Sequence, residues 1–252
     1  MAKVSLRNEL IRIRDHYHTQ KHPFFDLWST GKLDHRQMGY YLIQHGRMTR
    51  DGLRAYGLCY VKAPKEVQGS IMSNLAEEMG AKGIRQDAQA VEHASLVALW
   101  IQECGYSKAD ADAIESVAGA EAIRHCWMHL AYQYPWAVFL SAMTVLESQE
   151  VGIQSRTVPA LLSHYGYKKG DPRIHFFEEH YEADQIHGNR NFVFLDKYVN
   201  DPHTMSDCIE HAEAICKLRW QYMNEIHRFV VQGQPDGLPP RPARSPLLLD
   251  AA

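Results

Sequence analysis

No stretch of this 252-residue chain runs to the eighteen or so apolar residues of a membrane-spanning helix. No membrane partner is expected. The opening residues, Met-Ala-Lys-Val-Ser-Leu-Arg-Asn-Glu, lack the apolar centre of a secretion signal, so a cytoplasmic location is expected. Cysteine is scarce: five residues, at 59, 104, 126, 208 and 216, with no C-x-x-C pair. An odd, scattered set argues against a disulfide framework or a zinc ribbon and fits a reducing compartment. Cys208 and Cys216 read as small core residues on one helix. Neither charge sign dominates, with 27 Lys and Arg against 30 Asp and Glu. The formal net charge of −3 gives no footing for nucleic acid or an anionic membrane. Sustained period-two alternation, Gly-rich phosphate loops and internal repeats are lacking too, which excludes sheet folds and the common nucleotide-binding motifs.

What remains is helical periodicity in a chain long enough to bury a substantial core. The spacing predicts helices over 3–20, 24–28, 35–62, 64–79, 88–105, a short one capped by Ser107, 119–133, one from Pro135 to about 150, 157–165, 172–199 and 204–232. Asp34 caps the long third segment, whose glycines at 39, 46, 52 and 57 allow a kink. Residues 81–87 read as a loop after Gly80. The run from Pro135 is almost wholly apolar until Glu147 and reads as a central, buried helix. A Pro-rich tail, 234–252, follows a single all-α bundle domain over 1–233.

The chemistry concentrates in His180-x-x-x-Asp184-x-x-His187. Offsets of four and seven return to one face of a helix, so two imidazoles and a carboxylate share a stripe suited to iron, manganese or zinc. Fifteen histidines make a chance pair plausible, so the stripe needs ligands from elsewhere. Glu147 emerges from an apolar helix face, where a carboxylate must be paired, protonated or metal-bound. Glu77 and Glu78 stand at a helix C-terminus, the negative end of its dipole, which hints at a nearby positive charge. His93, beside Glu92, adds an imidazole. Three carboxylates and three imidazoles suit two iron ions better than one zinc. Tyr41 and His45, one turn apart, are candidate catalytic groups. Arg47, Arg50, Arg54 and Trp136 are candidate pocket groups, the arginines suited to a substrate carboxylate.

From about residue 15 to 232 the chain resembles the heme-oxygenase-like fold group of the TenA thiaminases and the PQQ-synthesis oxidase PqqC. It is most similar there to the heme-oxygenase-like diiron oxidases, CADD among them. The resemblance rests on His22-Pro23-Phe24-Phe25 with Trp28, Gly31 and Leu33, on Asn74-Leu75-Ala76-Glu77-Glu78-Met79-Gly80, on Glu147-Ser148-Gln149 and on the His180 motif. It implies a heme-oxygenase-like helical bundle with Glu77, His93, Glu147, His180, Asp184 and His187 as ligands of two Fe(II) ions. Registering on Gly80 selects Glu77 over Glu78, and Glu92 could substitute or add a ligand. Dioxygen as co-substrate, a small amino-acid-like or fatty-acid-like substrate and a homodimer are also implied. Phe25 falls where CADD has its self-sacrificing tyrosine, and Thr157 where it has a lysine. That departure speaks against making aminobenzoate from the protein's own tyrosine. Three rivals stay open: a metal-free oxidase like PqqC, a TenA-like hydrolase with Cys126 as nucleophile, and a non-catalytic scaffold.

Overall fold

The computed structural model describes residues 5–81 and 91–234, with side chains in 182–189 excepted. The described residues form helices and connecting turns without a strand ladder, so the all-α reading holds. Helix α1, Leu6–His16, starts at a Ser5 cap and buries Leu6, Leu10 and Ile13, spaced to share one face. A 3-10 turn, Thr19–Lys21, leads to α2, Pro23–Ser29, with proline in its first turn. Its Phe24, Phe25 and Trp28 are fully buried and pack with Tyr41 as an aromatic cluster.

The long helix expected over 35–62 is two helices. Helix α3, His35–Thr49, opens on an Asp34–Gln37 capping box, and α4 runs Gly52–Lys62. The break falls at Arg50-Asp51. Asp51 is held at 2.9 Å by Arg124 of the later helix α8, and Gly52 follows it with no side chain to crowd the bend. Helix α5 covers Lys65–Glu78, and α6 covers His93–Glu103. The helix expected from 88 thus begins five residues later, after an extended residue at Glu92. Positions 82–90 lie outside the described residues. Then come α7, Lys108–Ala113, with a Ser107–Asp110 capping box, and α8, Ala118–Gln133.

Helix α9 spans Trp136–His164 without interruption, joining two segments that the sequence reads apart. Pro159 lies inside it and costs one helical hydrogen bond, yet the turn persists because Thr157 before it and Ala160 and Leu161 after it remain buried. Residues Ala137 to Leu146 are all buried. Full burial of each large apolar side chain contributes roughly 1.5–3 kcal/mol, so this segment anchors the core. Helices α10, His175–Tyr198, and α11, Pro202–Val230, both lie along α9. A 3-10 turn, Pro172–Ile174, replaces the expected first turn of α10. The tail beyond Gln234 lies outside the described residues. No helix among the described residues is long and apolar enough to cross a membrane.

Candidate functional site

Helices α3 to α6, α8, α9, α10 and α11 enclose a cavity of about 490 Å³. Its walls are largely apolar: Met48, Val97, Ile101, Trp127, Met143, Leu146 and Phe176. Into this greasy space project Glu77, Glu78, Glu92 and His93 from the α5–α6 junction, Glu147 and Glu150 from α9, and His180 from α10. Four of the six residues expected as ligands therefore face one volume, although they come from four helices. The side chains of the other two, Asp184 and His187, lie outside the described residues; helix α10 continues through both positions.

The turn after α5 builds one wall. Gly80 has φ +66°, a conformation that favours glycine. The N–H of Gly80 reaches Glu77 O at 3.0 Å and that of Ala81 reaches Ala76 O at 2.8 Å, the paired bonds of a Schellman ending. A Cβ on Gly80 would stand 2.5 Å from the Glu92 amide nitrogen. That close approach brings the start of α6 against the end of α5 and sets His93 Nδ1 2.8 Å from Glu78 Oε2. On its other side, His93 Nε2 lies 3.6 Å from Glu179 Oε2. Burial alone would lower the His93 pKa, but the carboxylates around it, Glu78 foremost with Glu179 and Glu77, make the net shift upward.

His180 is half-buried and stands ring to ring with His93 at 4.8 Å. Its Nδ1 lies 2.8 Å from the Phe176 carbonyl oxygen, which can only accept, so Nδ1 carries the proton. Burial lowers its pKa and keeps the ring neutral, leaving a lone pair on Nε2. Glu147 accepts a hydrogen bond from the Tyr56 hydroxyl. Burial first, and then Glu147, push the Tyr56 pKa well up, so this phenol holds its proton. Glu77 accepts from Ser73 at 3.0 Å. Asn74 also faces the cavity, and its buried side-chain oxygen has no hydrogen-bond partner among the described residues.

The donor set fits iron. It offers carboxylates and a neutral imidazole whose far nitrogen is pinned by a backbone carbonyl, the arrangement that orients metal-binding histidines. Among the described residues no three such groups converge closely enough to hold an ion as they stand.

Residues 39–220 match the family described as iron-containing redox enzymes. The chain belongs to that family. The relatives match it over most of their own length. A 4-aminobenzoate synthase from Nitrosomonas europaea is 21% identical over 229 residues, covering 90% of this chain and 93% of that one. A TenA homologue from Pseudomonas syringae superposes with TM-score 0.73 at 13% identity, covering 88% of this chain and 92% of that one. A CADD-like protein of unknown function from Nostoc punctiforme superposes with TM-score 0.62 at 15% identity, over 91% and 97% of the two chains. These likenesses bear out the heme-oxygenase-like fold.

The other candidates divide. His45 lines the cavity, and burial pulls its pKa down to about 4, so it is neutral. Tyr41 does not line it. The Tyr41 ring sits in the aromatic cluster, and its hydroxyl lies against Arg219. Of the three α3–α4 arginines only Arg50 borders the cavity, at its exposed rim. Arg47 is committed to the carbonyls of Ala111, Asp112 and Ile114, and Arg54 pairs with Asp51 at the surface. Trp136 packs on Tyr198 instead. Cys126 is absent from the cavity wall, and burial raises its pKa, so the thiol has neither the position nor the ionisation of a nucleophile.

Sequence reasoning missed Glu150, Arg219, Tyr56 and Glu179. Glu150 had a signal: it stands one turn beyond Glu147 in the same buried run. Arg219 had one as well, as a lone charge within the stripe Ile215, Cys216, Tyr222, Met223 and Ile226 on α11. Nothing in the spacing marks Tyr56, which reads as one more core aromatic.

Proposed function

We propose that this protein is a non-heme diiron oxidase or oxygenase that uses dioxygen to oxidise a small organic substrate. The supporting observation is the apolar cavity, onto which Glu77, His93, Glu147 and His180 face together. With Asp184 and His187 from the same helix as His180, they make three carboxylates and three imidazoles, the donor set assigned to two Fe(II) ions. When bound, iron supplies redox chemistry toward dioxygen that no side chain in the cavity provides.

The remaining work belongs to the chain itself. Phe176 O fixes the His180 tautomer, and the Tyr56 hydroxyl holds Glu147. Glu78 contacts His93 at Nδ1 and Glu179 stands 3.6 Å from its Nε2, so carboxylates hold the ring from both sides. The walls of Met48, Val97, Ile101, Met143 and Leu146 keep bulk water from a reactive site. Formation of aminobenzoate, the activity named for the Nitrosomonas relative, is not carried over. Phe25 is buried in the aromatic cluster without a hydroxyl to offer, and Thr157 donates to Gln154 at 2.6 Å. A homodimer is proposed on the same resemblance, and a cytoplasmic location on the scattered, unpaired cysteines.

Anaerobic loading with Fe(II), followed by iron analysis, tests the reading. Two irons per chain and a transient absorbance on mixing with oxygen are expected. Glu147→Ala and His180→Ala proteins should each take up less iron. Equal uptake by wild type and both variants, with the variants folded, removes these residues from the metal site.

A further inference from the structure

At the inner end of the cavity lies a charged pair that the metal-binding residues do not use. Arg219, from α11, is 3% exposed and borders the cavity. Its Nη2 donates to Glu150 of α9, and the Tyr41 hydroxyl lies against the same guanidinium. A guanidinium carries five N–H donors in a rigid fork. The Arg219 Nε–H has no partner among the described residues. A buried cation with donors to spare calls for an acceptor. The free volume beside it is the cavity, whose remaining surface is apolar apart from the carboxylate and imidazole wall, Tyr56, Asn74, Thr49 and rim groups such as Arg50.

We propose that Arg219 anchors a carboxylate of the substrate, which makes the substrate a small acid with an apolar body. This rests on reading the cavity as the substrate pocket and names the class of molecule it takes. Glu150 is the positioning partner. It fixes one edge of the guanidinium, so that the other edge faces the cavity. Tyr41 closes the back of the subsite against the aromatic cluster. The apolar body then lies along Met143, Leu146, Trp127 and Val97, which points its far end at the Glu147–His180 side. Selectivity follows from charge and donor count: an amide or alcohol of the same shape leaves the guanidinium donors poorly satisfied. Arg50, exposed at the rim, can attract an acid but not orient it.

The test is calorimetric titration of 3-phenylpropanoate and of its primary amide into the full-length protein, loaded with redox-inactive zinc(II) after metal content is measured. Binding, not turnover, is read, so failure of the oxidase reading leaves this result interpretable. If zinc does not bind, the same titrations are run on the metal-free protein. The acid should bind at least tenfold tighter than the amide. Arg219→Lys should keep part of that preference. Arg219→Met strands Glu150 and can fail to fold, so the decisive protein is Arg219→Met with Glu150→Gln, which removes both charges. It should bind acid and amide alike, whereas Arg50→Ala should keep the preference. A preference that survives in the double variant places the carboxylate elsewhere, on the metal for instance, and overturns the assignment. Equal binding of acid and amide by wild type, or no measurable binding of either, overturns it as well.

Discussion

His18 and His22 each accept a backbone N–H at Nδ1, from Gln20 and Phe24 respectively, both at 3.2 Å. They act as caps, and His22 completes its pairing through Nε2 to Asn224 at 3.0 Å. Burial first, and then the nearby Arg14, bring the His18 pKa down to about 4 from 6.5. The unfolded chain therefore binds a proton between these values that the folded chain refuses. This contribution to stability is complete above about pH 6.5 and is lost as pH falls toward 4, amounting to about 3 kcal/mol. A His18→Asn protein, whose side chain caps without titrating, should show a shallower fall of Tm over that window. An unchanged slope would remove His18 from the acid sensitivity. Tyr56 offers a second test. Tyr56→Phe deletes the hydrogen bond to Glu147 but keeps the ring against Phe139. Loss of such support to a ligand typically costs on the order of 10–100-fold in metal affinity. Chelator competition for Fe(II) should show it, with Tm nearly unchanged.

Among the elements, the α5–α6 junction governs where Glu77, Glu78 and His93 meet. Gly80→Ala would force an L side chain into the left-handed region and against the Glu92 backbone. A cost of about 1–3 kcal/mol is expected. The junction should move before the bundle core melts, so metal uptake should fall more than helix content measured by circular dichroism. Helix α9 is the other decisive element. It carries Glu147 and Glu150 one turn apart, the first held by Tyr56 of α4 and the second by Arg219 of α11. One helix thus presents two acids to different partners. Breaking the buried pair with Arg219→Met alone should destabilise the fold by about 3–5 kcal/mol, because Glu150 is then left charged and buried. The double change with Glu150→Gln should recover most of that loss in a urea melt.

For the whole molecule, a ligand that binds only the folded state raises Tm. Fe(II) at about a hundred times its dissociation constant would add about 2.7 kcal/mol. For a chain of this size that corresponds to roughly 5–10 °C. Anaerobic melts with and without Fe(II) measure it, and the shift should vanish in His180→Ala. A shift that persists there would assign the stabilisation to another site.

The all-α class, the capping residues Asp34 and Ser107, the buried run from Pro135 and the face carrying His180 were legible in the sequence. Each depends on interactions within a few residues, where periodicity and side-chain chemistry decide. The glycines of the 35–62 segment made a kink legible, but not its place at Asp51, because the arginine that holds that residue comes from α8, 73 residues away. The gap read between about 150 and 157 is helical as well, because Ile153 and Gln154 are buried there and carry α9 on to Pro159 and beyond. The start of α6 at His93 depends on Gly80 meeting Glu92 across a chain reversal. The sequence by itself determined which acids and imidazoles exist and which share a helix face. Only the tertiary structure decided that Arg219 would meet Glu150, that Tyr56 would hold Glu147 and that Tyr41 would turn to the core. Such pairings join residues distant along the chain, and packing of whole helices around α9, rather than any local preference, brings them into reach.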